Sequence, residues 1–170
     1  NFGGVWHSDT TYLEEPPLGT ALYALEVPSA GGDTMFANMY EAYETLSDGM
    51  KNMLDPLVGV SSAALRRTGG RAAGMDYKSS MTATNLDKAD EIMAEHPVVR
   101  THPETGRKAL YVNSAHTVRF VGMTEAESKP LIDFLITHAV RPEFTCRFRW
   151  DVGSLAIWDN RCVQHFAIND

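Results

Sequence analysis

A chain of 170 residues is long enough for one domain with a sizeable core. Its 44% hydrophobic and 22% charged composition is that of an ordinary globular protein, and no apolar run approaches the roughly 18 residues of a membrane helix. A net charge of −7 argues against nucleic acid or an anionic membrane as the main partner, yet leaves room for a small anion in a locally basic pocket.

No basic segment followed by an apolar one opens the chain, so no secretion signal is read. Residues 5–12 (VWHSDTTY) alternate around Trp6 and suit a strand or its edge. On a strand, positions two apart share a face, so His7 and Asp9 would point to the same side; on a helix they would diverge by roughly 200°. Glu14-Glu15-Pro16-Pro17 is an irregular link. Residues 20–27 (TALYALEV) read as a buried strand, 28–33 (PSAGGD) as a turn and 34–37 (TMFA) as a short strand. Tyr40, Tyr43 and Leu46 recur at a spacing near 3.6, which predicts a helix over 39–46. Ser47 looks like the N-cap of a second short helix that stops before Pro56. Residues 57–61 can form another strand.

From 63 to 95 the pattern changes. Gly69, Gly70 and Gly74 punctuate it, Arg66, Arg67, Arg71 and Lys78 cluster, and large apolar residues thin out. Such a stretch predicts a mobile lid or insert, with one short helix over 87–94. Order resumes at 96–103 (HPVVRTHP); a turn at 104–107 and a strand at 108–113 (KALYVN) suggest a hairpin. Thr124 and Glu127 have the spacing of a capping box. It opens a helix with Leu131, Phe134, Leu135 and His138 on one face and with Pro130 disturbing its start. Residues 144–150 (FTCRFRW) alternate, 151–153 turn, and 154–158 (SLAIW) read as the paired strand of a hairpin. Cys146 and Cys162 then lie at its outer ends and read as reduced, mostly buried thiols of a cytoplasmic protein. The sum is mainly β with flanking helices and no βαβ rhythm, which points to an antiparallel barrel or double sheet.

Chemistry concentrates at the two ends. His7 and Asp9 near the start and His165 near the end supply two imidazoles and one carboxylate. That is the ligand set of non-heme Fe(II) oxygenases, which hold one face of the metal and leave the other open. The same residue types also suit zinc, or plain surface and hydrogen-bonded core positions. The flanking segments narrow this. Residues 6–12 (WHSDTTY), 28–34 (PSAGGDT), 96–103 (HPVVRTHP), 110–113 (LYVN), 158–161 (WDNR) and then His165 follow in that order. Together they resemble the taurine dioxygenase family of Fe(II)/2-oxoglutarate-dependent oxygenases, which also contains alkylsulfatases and aryloxyalkanoate-degrading enzymes. The resemblance covers nearly the whole chain and is weakest over 63–95.

The resemblance implies a double-stranded β-helix, or jelly roll, as a single catalytic domain over 1–170, incomplete at both ends. It makes His7, Asp9 and His165 the iron ligands. Thr34 would hydrogen-bond a carboxylate of 2-oxoglutarate, and Trp158 would pack near the iron. His116 stands where the taurine branch tends to carry an aromatic facing the substrate, so a histidine there adds a donor or a charge and puts taurine itself in doubt. Iron, 2-oxoglutarate and O2 would hydroxylate a small anionic organic acid, in the first instance a sulfonate such as taurine, with loss of sulfite. An alkylsulfatase, an aryloxyalkanoate dioxygenase and a non-catalytic metal-binding jelly-roll module are the alternatives. His96 and His102, each before proline, read as turn histidines, and His138 as a cation near a helix C-terminus. The family carries an Arg about ten residues beyond the distal His, a bidentate partner for the far carboxylate of 2-oxoglutarate. The sequence stops at Asp170, so this resemblance predicts a fragment that binds 2-oxoglutarate poorly on its own. Homo-oligomers fit the family, but no face in the sequence declares one.

Overall fold

The computed structural model describes residues 4–64 and 92–168. Among them the chain forms ten strands, three α-helices and a short 3-10 helix at Pro142–Phe144. In order the strands and α-helices are β1 (Gly19–Tyr23), β2 (Thr34–Asn38), α1 (Met39–Glu44), α2 (Asp48–Leu54), β3 (Val58–Ser62), β4 (Met93–Pro97), β5 (Val99–Thr101), β6 (Lys108–Leu110), β7 (Thr117–Phe120), α3 (Glu125–Ala139), β8 (Thr145–Phe148), β9 (Leu155–Asp159) and β10 (Val163–Ala167). The strands sort into four small sheets, ordered β10-β2-β8, β1-β9, β4-β3-β7 and β5-β6, all with antiparallel pairing. The molecule is therefore mainly β with few helices.

Local signals explain the helices. Asn38 caps α1 by accepting from the N–H groups of Tyr40 and Glu41, and Ser47 caps α2 by accepting from Met50. Thr124 and Glu127 form a full capping box on α3. Its buried stripe is Ser128, Ile132, Leu135 and Ala139; Phe134, expected inside, is 46% exposed. The helix runs unbroken past Pro130. The core gathers Met39, Ala42, Leu54, Val98, Phe120 and Leu135 where α1 and α3 pack on the β6 and β7 strands.

Several expectations need correction. Residues 5–12 form no strand: His7 makes one isolated bridge with His165, and the chain then enters turns. The 20–27 run is only partly strand and is largely exposed, with Leu22 and Tyr23 about half open to solvent. An apolar run shows that both faces are apolar, not that both are covered. β8 and β9 are not a hairpin. β8 pairs with β2, and β9 pairs with β1 after the 151–153 turn carries the chain across to the other sheet. A period of two identifies strands but not their partners. Cys146 is exposed rather than buried, and both cysteines are free. The insert expected at 63–95 is already β4 by Met93, which pairs with Ser62, so residues 93–94 are not helical. Residues 65–91, which hold the rest of that insert, its helix and its basic cluster, lie outside the described residues.

Candidate metal centre

The bridge between His7 and His165 builds the site. Each residue's N–H donates to the other's carbonyl, at 3.1 and 2.8 Å, which sets the two rings 4.1 Å apart between centroids. The turn that follows brings Asp9 back beneath them. Its Oδ1 lies 3.5 Å from Nε2 of His7 and 3.7 Å from Nε2 of His165. The three donor atoms all lie within 4.8 Å of one another. Adjacent donors on a metal at about 2.1 Å stand about 3 Å apart, so a small contraction would seat an ion. His7 is prepared for that role: its Nδ1 donates to the Val5 carbonyl at 2.8 Å, which leaves the Nε2 lone pair free to bind.

The segment bearing His7 and Asp9 is latched by side chains. Ser8 donates to the carbonyl of Val163, Ser114 to that of Trp6, and His96 to that of Leu13. Asn113 donates from Nδ2 to Thr11 Oγ1 at 3.1 Å and accepts from the N–H groups of Ala115 and His116. Thr10 adopts φ 47°, an uncommon left-handed conformation for a β-branched residue, as the chain turns away from Asp9. Burial raises the Asp9 pKa, but the close approach of His7, the hydrogen bond from Thr20 and the fields of His165 and His7 outweigh it and hold the carboxyl at about 2. Asp9 is thus ionised at neutral pH, as a metal ligand must be.

Of the other expected residues, Trp158 is the one that packs on this cluster. Trp158 is buried, with its ring 4.8 Å from that of His165. Thr34 is buried on β2 and its Oγ1 accepts from the indole N–H of Trp150 at 3.0 Å. His116 is only 2% exposed, so it is no surface-loop residue; its ring meets the Tyr12 ring edge-on at 4.9 Å. The residues that sequence reasoning missed are Thr20, Asn113, Ser114 and Asn160. Asn113 and Asn160 sit inside segments that carried the family resemblance, but nothing in their spacing marks them as supports.

A second donor group, His102, Asp159 and Cys162, is differently built. Arg161 takes both oxygens of Asp159, and His102 donates from Nε2 to Oδ2 while its Nδ1 accepts from two backbone N–H groups. Every donor is already engaged, the thiol too, which donates to the Asp159 carbonyl at 3.9 Å. It is an ion-pair network, in which the Arg161 hydrogen bonds, against burial and helped by His102, hold the Asp159 carboxyl far below the usual carboxylate range.

Comparison with known proteins follows the same lines. Residues 1–168 match the model of the taurine catabolism dioxygenase TauD, TfdA family. The chain belongs to that family. It is 36% identical over 165 residues to an alkylsulfatase of Acinetobacter baylyi, covering 97% of this chain and 51% of the relative. It is 37% identical to an α-ketoglutarate-dependent sulfate ester dioxygenase of Pseudomonas putida, covering 97% of this chain and 54% of the relative. The solved structure of a taurine dioxygenase from Burkholderia xenovorans superimposes with a TM-score of 0.79 at 38% identity, over 99% of this chain and 51% of that one. The chain spans about half the length of the curated relatives it matches.

Proposed function

We propose that this chain forms the metal-binding part of an Fe(II)- and 2-oxoglutarate-dependent dioxygenase acting on a small organosulfur anion. The observation that carries the reading is the convergence of His7 Nε2, Asp9 Oδ1 and His165 Nε2 within 4.8 Å. Membership of the family supports a jelly-roll arrangement for the whole enzyme. His7, Asp9 and His165 would hold iron by three donors. When bound, iron with 2-oxoglutarate and O2 would supply the oxidising power to hydroxylate a substrate C–H bond, releasing succinate and CO2. Thr34 would donate its hydroxyl proton to a cosubstrate carboxylate. Trp158 would wall the site and exclude water beside His165. His116, buried near the ligand segment, would meet the substrate's anionic end.

Two substrate classes divide the reading. Hydroxylation of a carbon bearing sulfonate gives an unstable adduct that collapses to an aldehyde and sulfite. Hydroxylation of a carbon bearing a sulfate ester collapses to an aldehyde and sulfate. The relatives named as an alkylsulfatase and a sulfate ester dioxygenase support the second class, and the likeness to a taurine dioxygenase structure supports the first. The test is anaerobic titration of the full-length protein with Fe(II) and 2-oxoglutarate, followed by visible absorption. A weak charge-transfer band is expected. Taurine, longer alkylsulfonates, alkyl sulfates and aryloxyacetates are then added, and after O2 admission the released anion is identified. No band with the three ligands intact would move the reading to a zinc enzyme or a non-catalytic module.

A further inference from the structure

The carboxylate of Asp9 sits in a closed ring of hydrogen bonds. Its own backbone N–H donates to Asn160 Oδ1 at 3.4 Å, Asn160 Nδ2 donates to Thr20 Oγ1 at 2.9 Å, and Thr20 Oγ1 donates back to Asp9 Oδ2 at 2.6 Å. The direction of each bond is set. A hydroxyl has one proton, a carboxylate only accepts, and an amide N–H only donates. With Asn160 occupying a lone pair of Thr20, the threonine proton is committed to Oδ2. Oδ1 is the oxygen that faces the two imidazoles, at 3.5 and 3.7 Å. Asn160 is itself fixed: it is 1% exposed and its N–H donates to the Leu18 carbonyl at 2.9 Å.

We propose that Thr20 and Asn160 are positioning residues that make Asp9 a one-oxygen metal ligand. The proposal rests on the iron-site reading above and deepens it. Its consequence is a coordination count. A six-position metal with three protein donors keeps three places, enough for a two-atom cosubstrate and O2. A carboxylate binding through both oxygens would take one of those places. The short, charge-assisted bond from Thr20 occupies Oδ2 and opposes that second contact. Asn160 keeps the threonine proton from turning elsewhere, and its tie to the Asp9 N–H fixes the backbone and the carboxylate together.

The experiment uses the full-length protein stripped of metal, with Thr20→Ser, Thr20→Val and Thr20→Ala, each checked for fold by circular dichroism. Co(II) is titrated and followed by absorption, and the anaerobic Fe(II)–2-oxoglutarate band is recorded. Thr20→Ser keeps the hydroxyl and binds Co(II) within a few-fold of the parent. Thr20→Val and Thr20→Ala bind it roughly 10- to 100-fold more weakly, the usual loss when an outer partner of a ligand is removed. The Fe(II)–2-oxoglutarate band weakens or shifts in Val and Ala but not in Ser. Valine or alanine variants with parental affinity and an unchanged band overturn the proposal. So does a serine variant as impaired as valine, because keeping the hydroxyl would then not keep the ligand in place. His7→Ala and His165→Ala run alongside. If they also bind Co(II) as the parent does, the metal-site reading itself fails and the proposal with it. If they lose the metal while Thr20→Val keeps it, only the proposal fails.

Discussion

Thr34 and Trp150 show how one hydrogen bond can set the use of another group. The Trp150 indole N–H occupies a lone pair of the buried Thr34 hydroxyl at 3.0 Å, so the hydroxyl proton points to whatever lies opposite. If that is the cosubstrate carboxylate, Trp150→Phe keeps the ring packed on Phe148 but frees the hydroxyl to rotate. The variant is expected to weaken 2-oxoglutarate binding by about 1 kcal/mol, several-fold in Kd, in an anaerobic titration. Unchanged binding would remove Trp150 from the site. Thr34→Val is expected to cost more, since it deletes the donor itself. Asp159 gives a pH-dependent counterpart. Its folded pKa lies below its unfolded value, so its contribution to stability is present above about pH 4 and is lost as pH falls below it. Thermal unfolding of Asp159→Asn should show a deficit that is full at pH 7 and shrinks from pH 4 to pH 2. An equal deficit at all pH values would mean the ion pairs with Arg161 and His102 contribute little. The sequence displayed the residue types for these roles but not their partners. Trp150 and Thr34 are 116 positions apart, and only the fold says they touch.

At the scale of elements, legibility depended on whether a signal was local. The capping box at Thr124 and Glu127 and the N-cap at Ser47 are complete within a few residues, and both stand in the structure as read. Strand pairing is not local. The alternating runs at 144–150 and 154–158 gave two strands but the wrong partnership, because β8 and β9 belong to different sheets. The β1–β9 pair carries its own constraint. A Cβ at Gly19 would lie 2.8 Å from the Trp158 carbonyl oxygen, a backbone atom that cannot move alone. Gly19→Ala must therefore push β1 away from β9. The displacement separates Thr20 from Asn160 and Asp9, which the strand pair holds in reach. The expected outcome is destabilisation of about 1–3 kcal/mol, as for overpacking, together with weaker metal binding. Unfolding midpoints and a Co(II) titration check both parts. Loss of stability with unaltered metal affinity would show that the strand spacing does not reach the carboxylate.

At the scale of the whole chain, the candidate centre ties together segments that are far apart in the sequence. Asp9 meets Asn160 across 151 positions and Ser8 meets Val163 across 155, yet residues 4–13 contribute only the single His7–His165 bridge to any strand pairing. That segment is held by side-chain bonds and includes the strained Thr10, so without metal it is expected to open before the core around Phe120 and Leu135 does. A metal binding His7, Asp9 and His165 would clamp two segments far apart in the sequence and stabilise the native state by mass action. At a hundredfold excess over Kd the gain is about 2.7 kcal/mol. For a protein of this size that corresponds to about 5–10 °C in Tm. Chelator should therefore lower the Tm of metal-loaded protein by that amount, and hydrogen exchange at residues 7–13 should slow on metal addition more than exchange in α3. His7→Ala and His165→Ala should abolish both effects. If the Tm shift survives in both variants, the ion is bound elsewhere, and the His102, Asp159 and Cys162 group would be the place to look despite its engaged donors. A shift that vanishes in the variants, with protection confined to the first segment, would mean that the same three side chains that bind the metal also complete the fold.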